Sequence, residues 1–158
     1  MTMIRLIHII AISLASLSVS LSFATFAADT APTDSAPSWQ ADAQKEIKAK
    51  NYDGAIKTLL AANQPNSADW NNLLGYAQRK KNPPDLAAAE RYYQAALKID
   101  PKHKGALEYY GELFLMKNDL AGAEQMLARL NKVCIFSCEE YRDLKEAIAK
   151  YKAKTGSK

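Results

Sequence analysis

Polar capping residues, small residues and apolar residues recur along this chain at a fixed spacing of 34 residues. In each unit an apolar residue directly follows an Asn or Asp. Ala stands three places after that apolar residue, and a second apolar residue stands seven places after it. Asn and Asp accept hydrogen bonds from free N–H groups at a helix start. The pattern therefore predicts three helices, each with one apolar face. The recurring sets are Asn51, Asp85 and Asp119; Tyr52, Leu86 and Leu120; Ala55, Ala89 and Ala123; and Leu59, Tyr93 and Leu127.

A second kind of apolar stripe precedes the last two of these helices, with members at i, i+3, i+4 and i+7. This spacing predicts a further helix before each of them, so that the helices form hairpins. Gly75 and Gly111 fall inside these helices, where Gly is about 1 kcal/mol less favourable than Ala. We therefore expect both glycines to lie at close helix contacts. The stripes are Trp70, Leu73, Leu74 and Ala77, and Leu107, Tyr110, Gly111 and Phe114.

Together these hairpins resemble the tetratricopeptide repeat, whose signature reads W-x2-L-G-x2-Y, then A-x3-F, then P. The resemblance implies an all-α fold, a right-handed superhelix of three hairpins over residues 39–133. In the first repeat, Asp42 and Glu46 replace expected apolar residues. The residues that carry the resemblance are Trp39, Ala43, Tyr52, Ala55 and Leu59 in the first repeat; Leu74, Gly75, Ala89, Tyr93 and Pro101 in the middle one; and Leu107, Tyr110, Gly111, Phe114, Ala123 and Leu127 in the last.

Residues 134–154 are expected to close the last repeat, because a helical stack needs a terminal unit with one polar side. The sequence pattern of this segment predicts a loop followed by an amphipathic helix. Residues 155–158 are expected to form a tail. Ser137 and Glu140 match a capping box at the helix start. The apolar stripe of the helix is Tyr141, Leu144, Ile148 and Tyr151.

The first 27 residues read as an export signal, with Arg5 followed by an apolar stretch that is diluted by serines. Thr25 and Ala27 provide the small side chains that suit cleavage after Ala27. Residues 28–38 are polar and contain two prolines, which predicts a disordered linker. An uncleaved anchor is the alternative, because the apolar stretch from Leu6 to Phe23 comes close to the length of about 20 residues that a bilayer span needs. We expect a periplasmic or secreted protein with no stable membrane anchor after cleavage.

Cys134 and Cys138 are the only two cysteines of the chain. In an exported protein a disulfide between them is the structural interpretation. It would fix the angle at which the last helix packs. The alternative is a thiol-redox or copper-binding accessory protein that uses the same two residues, because a thiol at a helix start is readily ionised.

Composition excludes several classes of function. With 48% hydrophobic and 24% charged residues, the chain is not wholly disordered. The net charge of +4 is dispersed, so we expect no nucleic-acid partner. The densest basic run, residues 79–81, is explained by the helix dipole, with contact to an acidic partner as the alternative. Beyond the signal, His103 is the only histidine. We therefore expect no enzymatic activity, no cofactor and no metal site.

The resemblance implies a concave surface lined by the first helix of each hairpin. We interpret it as the binding groove for a peptide or protein segment, which makes the chain a non-enzymatic adaptor or scaffold. Two interpretations of its charges stay open. They could recognise a partner of mixed charge, or they could be solvated while Arg79 pairs internally with a Glu. The predicted partner-binding residues are Gln44, Asn72, Tyr76, Arg79, Glu108 and Glu112, flanked by Gln40 and Leu115.

Overall fold

The computed structural model describes residues 37–136 and 138–156, which form seven α-helices and no strand. The predicted signal, residues 1–27, and most of the predicted linker lie outside the described residues. The first helix begins at Ser38, one residue inside the predicted linker. The helices are α1 (Ser38–Lys48), α2 (Tyr52–Ala62), α3 (Ala68–Lys80), α4 (Leu86–Ile99), α5 (Lys104–Met116), α6 (Leu120–Val133) and α7 (Glu139–Thr155).

The predicted caps occupy their places at the start of α2, α4 and α6. The side-chain oxygen of Asn51 accepts from the third backbone N–H beyond it at 3.1 Å, and Asp85 and Asp119 do the same at 2.8 Å. Such a cap satisfies a donor that has no partner within the helix. The repeated alanines behind the caps are fully buried. The 34-residue pattern is therefore confirmed as a pattern of helix starts and helix contacts.

Contacts between helices show which of them face inward. Helix α1 contacts α3, α3 contacts α5, and α5 contacts α7. Within the described residues, α2 does not contact α4, and α4 does not contact α6. The odd-numbered helices are therefore gathered on one side while the even-numbered helices spread apart on the other. A stack of this kind has its concave face on the odd-numbered helices, as the resemblance implies.

Two glycines lie at close helix contacts, as predicted. A Cβ atom at Gly75 would lie 2.6 Å from the ring of Tyr93, and one at Gly111 would lie 2.5 Å from a methyl group of Leu144. Both partners are fully buried, so neither can move aside without disturbing the core. The second contact seats α7 against α5, and Ile148 buries a further turn of the same stripe. Helix α7 thus closes the stack.

Two details of the helix starts differ from the sequence prediction. The N-cap of α7 is Cys138, one residue after the predicted cap Ser137, and its side chain makes no capping hydrogen bond. Ser137 itself lies outside the described residues. In the first repeat, the unexpected acid Glu46 accepts from the side-chain amide of the cap Asn51 at 2.7 Å. An acid at this position therefore supports the next helix start instead of interrupting α1.

Candidate functional site: the groove on the odd-numbered helices

An aromatic cleft opens where α1, α3 and α5 face one another. It is a cavity of about 200 Å³, which we call the tyrosine cleft. The rings of Tyr76 and Tyr109 lie 4.8 Å apart between centroids, and Tyr52 meets Tyr76 edge-on at 6.3 Å. Burial is the main cause that raises the pKa of Tyr76 and of Tyr109, so both hydroxyls stay protonated at neutral pH. The cleft is lined by Gln44, Ile47, Lys48, Leu73, Tyr76 and Tyr109.

Arg79 lies below these rings and is only 6% exposed. One guanidinium nitrogen forms an ion pair with Glu112 at 2.6 Å, and Nε donates to the hydroxyl of Tyr93 at 3.3 Å. The guanidinium carbon lies 5.5 Å from the ring centroid of Tyr76 and 5.7 Å from that of Tyr109, within the range of a cation–π contact. Its charge is therefore satisfied inside the protein. Of the two sequence interpretations, the structure follows the one in which Arg79 pairs internally.

The protonation of Arg79 is secure despite its burial. Burial alone would lower the pKa of its guanidinium, but Tyr93 and Glu112 outweigh that effect, and the pKa lies above its ordinary value. Burial in turn raises the pKa of Tyr93, which stays neutral as the acceptor of the Arg79 hydrogen bond. Arg79 is thus a permanent cation whose partners are already in place.

Glu108 presents the opposite situation on the neighbouring helix. Its residue surface is only 7% exposed, yet no hydrogen bond or ion pair of the described residues reaches its carboxyl. Burial raises the pKa of Glu108 to about 8, and the nearby acids Glu112, Asp143 and Glu140 add to this effect. Arg79 acts in the other direction but is committed to Glu112. Glu108 is therefore a buried acid without a compensating cation.

The predicted site residues divide into three groups. Gln44 and Tyr76 line the tyrosine cleft. The buried Arg79 forms an ion pair with the half-buried Glu112, and Glu108 is buried and unpaired. Asn72 is also only 7% exposed, and its amide nitrogen lies 3.1 Å from the point where a Cβ at Gly105 would stand, at the contact of α3 with α5. The groove therefore holds fewer exposed polar groups than the sequence predicted.

Four residues of the tyrosine cleft escaped the sequence analysis. Leu73 was assigned to the inward stripe of its helix, and Tyr109 lies next to the predicted Glu108 without having been chosen. Ile47 and Lys48 lie one turn beyond Gln44 on α1. Extending the Gln44 face by i+3 and i+4 would have found Ile47 and Lys48.

The sulfur atoms of Cys134 and Cys138 lie at disulfide distance, with their Cα atoms 5.6 Å apart. The described residues contain no free cysteine. In this state neither sulfur is a thiolate available to a metal or a substrate. Between the two cysteines, Ile135 and Phe136 are 88% and 89% exposed.

Further chemistry is sparse in the described part of the chain. His103, the only histidine after residue 27, caps α5 by accepting from the N–H of Ala106, and its other ring nitrogen contacts Asp69 at 3.0 Å. Both nitrogens are thus engaged. No group of three or more His, Cys, Asp or Glu residues in this part could hold a metal ion. No helix in residues 37–136 or 138–156 is long and apolar enough to cross a membrane.

Comparison with known proteins agrees with the architecture. Residues 85–148 match the tetratricopeptide repeat family. This match and the similar fold described below support the tetratricopeptide repeat assignment that the sequence pattern predicted. No curated protein matches its sequence.

One similar solved structure is the crystal structure of the Yersinia enterocolitica type III secretion chaperone SycD in complex with a peptide of the translocator YopD. The two chains are 19% identical, and the TM-score is 0.60. The similarity covers 73% of this chain and 91% of the chaperone chain. At this level of identity the similarity establishes the common fold.

Proposed function

We propose that this protein is a non-enzymatic adaptor that binds a segment of a partner protein in the groove on α1, α3 and α5. The observation that carries the proposal is the tyrosine cleft, a partly apolar cavity on the concave face that no side chain of the described residues fills. Aromatic side chains are enriched at protein interfaces, where they provide large contact areas. The similar chaperone structure contains a peptide, which supports a groove of this kind as a peptide site.

The residues around the tyrosine cleft favour an apolar anchor on the partner. A cavity of about 200 Å³ is suited to a single side chain such as Leu, Met or Phe. The ion pair of the buried Arg79 with Glu112 stiffens the base of the cleft but offers no free charge to a ligand. Gln44 and Lys48, both exposed on α1, can donate hydrogen bonds to an extended backbone at the rim. The recognition we propose is therefore mainly apolar at this point of the groove.

We further propose that the protein acts in the periplasm or after secretion. The apolar segment before Ala27 and the disulfide distance between Cys134 and Cys138 support this location. Cell fractionation combined with the intact mass of the chain tests it. A chain that begins near Ala28 in the exported fraction is expected, and a full-length chain in the cytosol would contradict the proposal.

Selection from a library of displayed random dodecapeptides tests the adaptor function. The unaltered protein is expected to enrich sequences with a common apolar residue. Tyr76→Ala should then weaken a selected peptide by about 1–2 kcal/mol, or roughly tenfold, because it removes one wall of the cleft. Tyr151→Ala is the matched control, since this tyrosine lies half-buried on α7 and bonds to Asn118. No enrichment, or equal loss in both variants, would refute the proposed site.

A further inference from the structure

An acidic pocket lies beside the tyrosine cleft, where α5 faces α7. We define it by Glu108 and Glu112 on α5 and by Glu140, Asp143 and Glu146 on α7. Glu112, Asp143 and Glu146 border a cavity of about 340 Å³ together with Lys150, and Glu108 lies one helical turn before Glu112 on α5. Glu112 is paired with Arg79, and Glu146 is paired with Lys150 at 2.5 Å. Within the described residues, no ion pair reaches Glu108, Glu140 or Asp143.

The buried carboxyl of Glu108 distinguishes this pocket from an ordinary acidic surface. Acids are rarely buried to this extent unless a cation or hydrogen-bond donors compensate them. Only 7% of the surface of Glu108 is exposed. Three other acids interact with its carboxyl, namely Glu112 on α5 and Glu140 and Asp143 on α7. The fold therefore keeps an unfavourable carboxyl in the groove, with its compensating group missing from the described part of the chain.

We propose that the acidic pocket binds the lysine or arginine side chain of a partner segment whose apolar residue occupies the tyrosine cleft. This inference rests on the proposed peptide-binding function and specifies the partner's chemistry. Glu108 and Tyr109 are consecutive on α5, so one short segment can reach both sites. A long cationic side chain supplies the missing positive charge, and it can donate to Glu108 while it lies near the acids of α7.

Other occupants fit less well. The described residues offer no set of three or more ligands placed to hold a metal ion, so a bare divalent cation is not favoured. An acidic segment would be repelled, because the charged groups near Glu108 are the acids Glu112, Glu140 and Asp143, with Arg79 as the nearby cation. The guanidinium of Arg79 cannot serve an anionic ligand without breaking its pair with Glu112.

Binding of a cation to this pocket should release a proton. Because the pKa of Glu108 lies at about 8, its carboxyl is mostly protonated at neutral pH. A lysine or arginine side chain favours the ionised form, so the affinity should rise as the pH is raised. If only the ionised form of Glu108 binds the cation, the fraction of protein molecules in that form increases roughly tenfold between about pH 7 and about pH 9.

Library selection on matched variants tests the inference. Displayed random dodecapeptides are selected on the purified unaltered chain, on Glu108→Gln and on Asp53→Asn. Asp53 is an exposed acid on α2, a helix that contacts only α1 and α3 in the described structure. The unaltered chain and Asp53→Asn should enrich peptides with an apolar residue near a lysine or arginine. Glu108→Gln should enrich the apolar residue alone.

The affinity of one selected peptide then gives a quantitative result. We expect the peptide to bind at least fivefold more tightly than its copy with glutamine in place of the basic residue. This ratio should rise with pH in the unaltered chain, fall towards one in Glu108→Gln, and fall partly in Asp143→Asn, whose exposed position leaves folding intact. Peptides that bind equally with or without the basic residue would overturn the inference and leave the adaptor function standing. The absence of any enriched peptide would overturn both.

Discussion

The substitution Glu108→Gln should make the protein more stable, and its advantage should grow with pH. The pKa of Glu108 is raised from its ordinary value of 4.5 to about 8 in the folded chain. Below pH 4.5 the carboxyl is protonated in the folded and unfolded states alike. Between these values the unfolded chain has released a proton that the folded chain retains, so folding becomes less favourable as pH rises. The loss is complete above about pH 8, and glutamine does not undergo it.

The size of this effect follows from the same interval. Each pH unit between the two pKa values corresponds to about 1.4 kcal/mol, which gives an upper limit of about 5 kcal/mol for a fully desolvated acid. Glu108 interacts with Asp143, which is exposed, so solvent screens part of the repulsion. This screening places the expected gain at pH 8 somewhat below that limit, at about 3–4 kcal/mol.

Urea denaturation followed by circular dichroism measures this gain at several pH values between about 5 and about 9. The difference in unfolding free energy between Glu108→Gln and the unaltered chain should be near zero at the acidic end and largest at the basic end. Asp53→Asn is the control, because it makes the same change from an acid to its amide at an exposed position on α2, a helix that does not contact α5 or α7. Parallel stability curves for Glu108→Gln and the unaltered chain would refute the assignment of Glu108 as an uncompensated buried acid.

Two further substitutions or treatments test the packing and the cysteine pair. Gly75→Ala should destabilise the protein by about 1–3 kcal/mol, because the new Cβ would press on the buried ring of Tyr93; urea denaturation measures it, and an unchanged or raised stability would contradict the close contact. Thiol counting on protein isolated from its native compartment should find Cys134 and Cys138 unreactive before reduction, and reduction should lower the stability by about 2 kcal/mol. Reactive thiols or stoichiometric copper uptake before reduction would instead favour the thiol-redox or copper-binding alternative.

The sequence was most informative where one local rule decides the structure. Asn51, Asp85 and Asp119 each cap a helix through an oxygen that reaches an N–H three residues on, and no distant residue is needed for this. Gly75 and Gly111 could be assigned to close contacts because glycine has no other advantage inside a helix. Repetition of these local signals was sufficient to predict the hairpins and the tetratricopeptide repeat fold.

The sequence was least informative where side chains from different helices meet. Arg79 follows Gln78 at the end of α3, and its position on that helix is compatible with either a free or a paired guanidinium. The choice depends on Glu112 of α5 and Tyr93 of α4, which approach it only in the folded stack. The burial of Glu108 likewise depends on the packing of α5 against α7. Helical periodicity assigns a residue to a face but does not determine how many charges converge there.

The two convergent charges have different consequences for binding. Arg79 has its compensating partners within the protein, so removing a ligand leaves it satisfied, and it can hold the base of the tyrosine cleft in one shape whether or not a partner is bound. Glu108 lacks such a partner within the described residues and is relieved only by a proton or an external cation. A rigid apolar anchor site beside a site that favours positive charge would select one direction of a bound segment. Reversing the order of the apolar and basic residues in a selected peptide should therefore weaken its binding, because only one of the two residues could then reach its site.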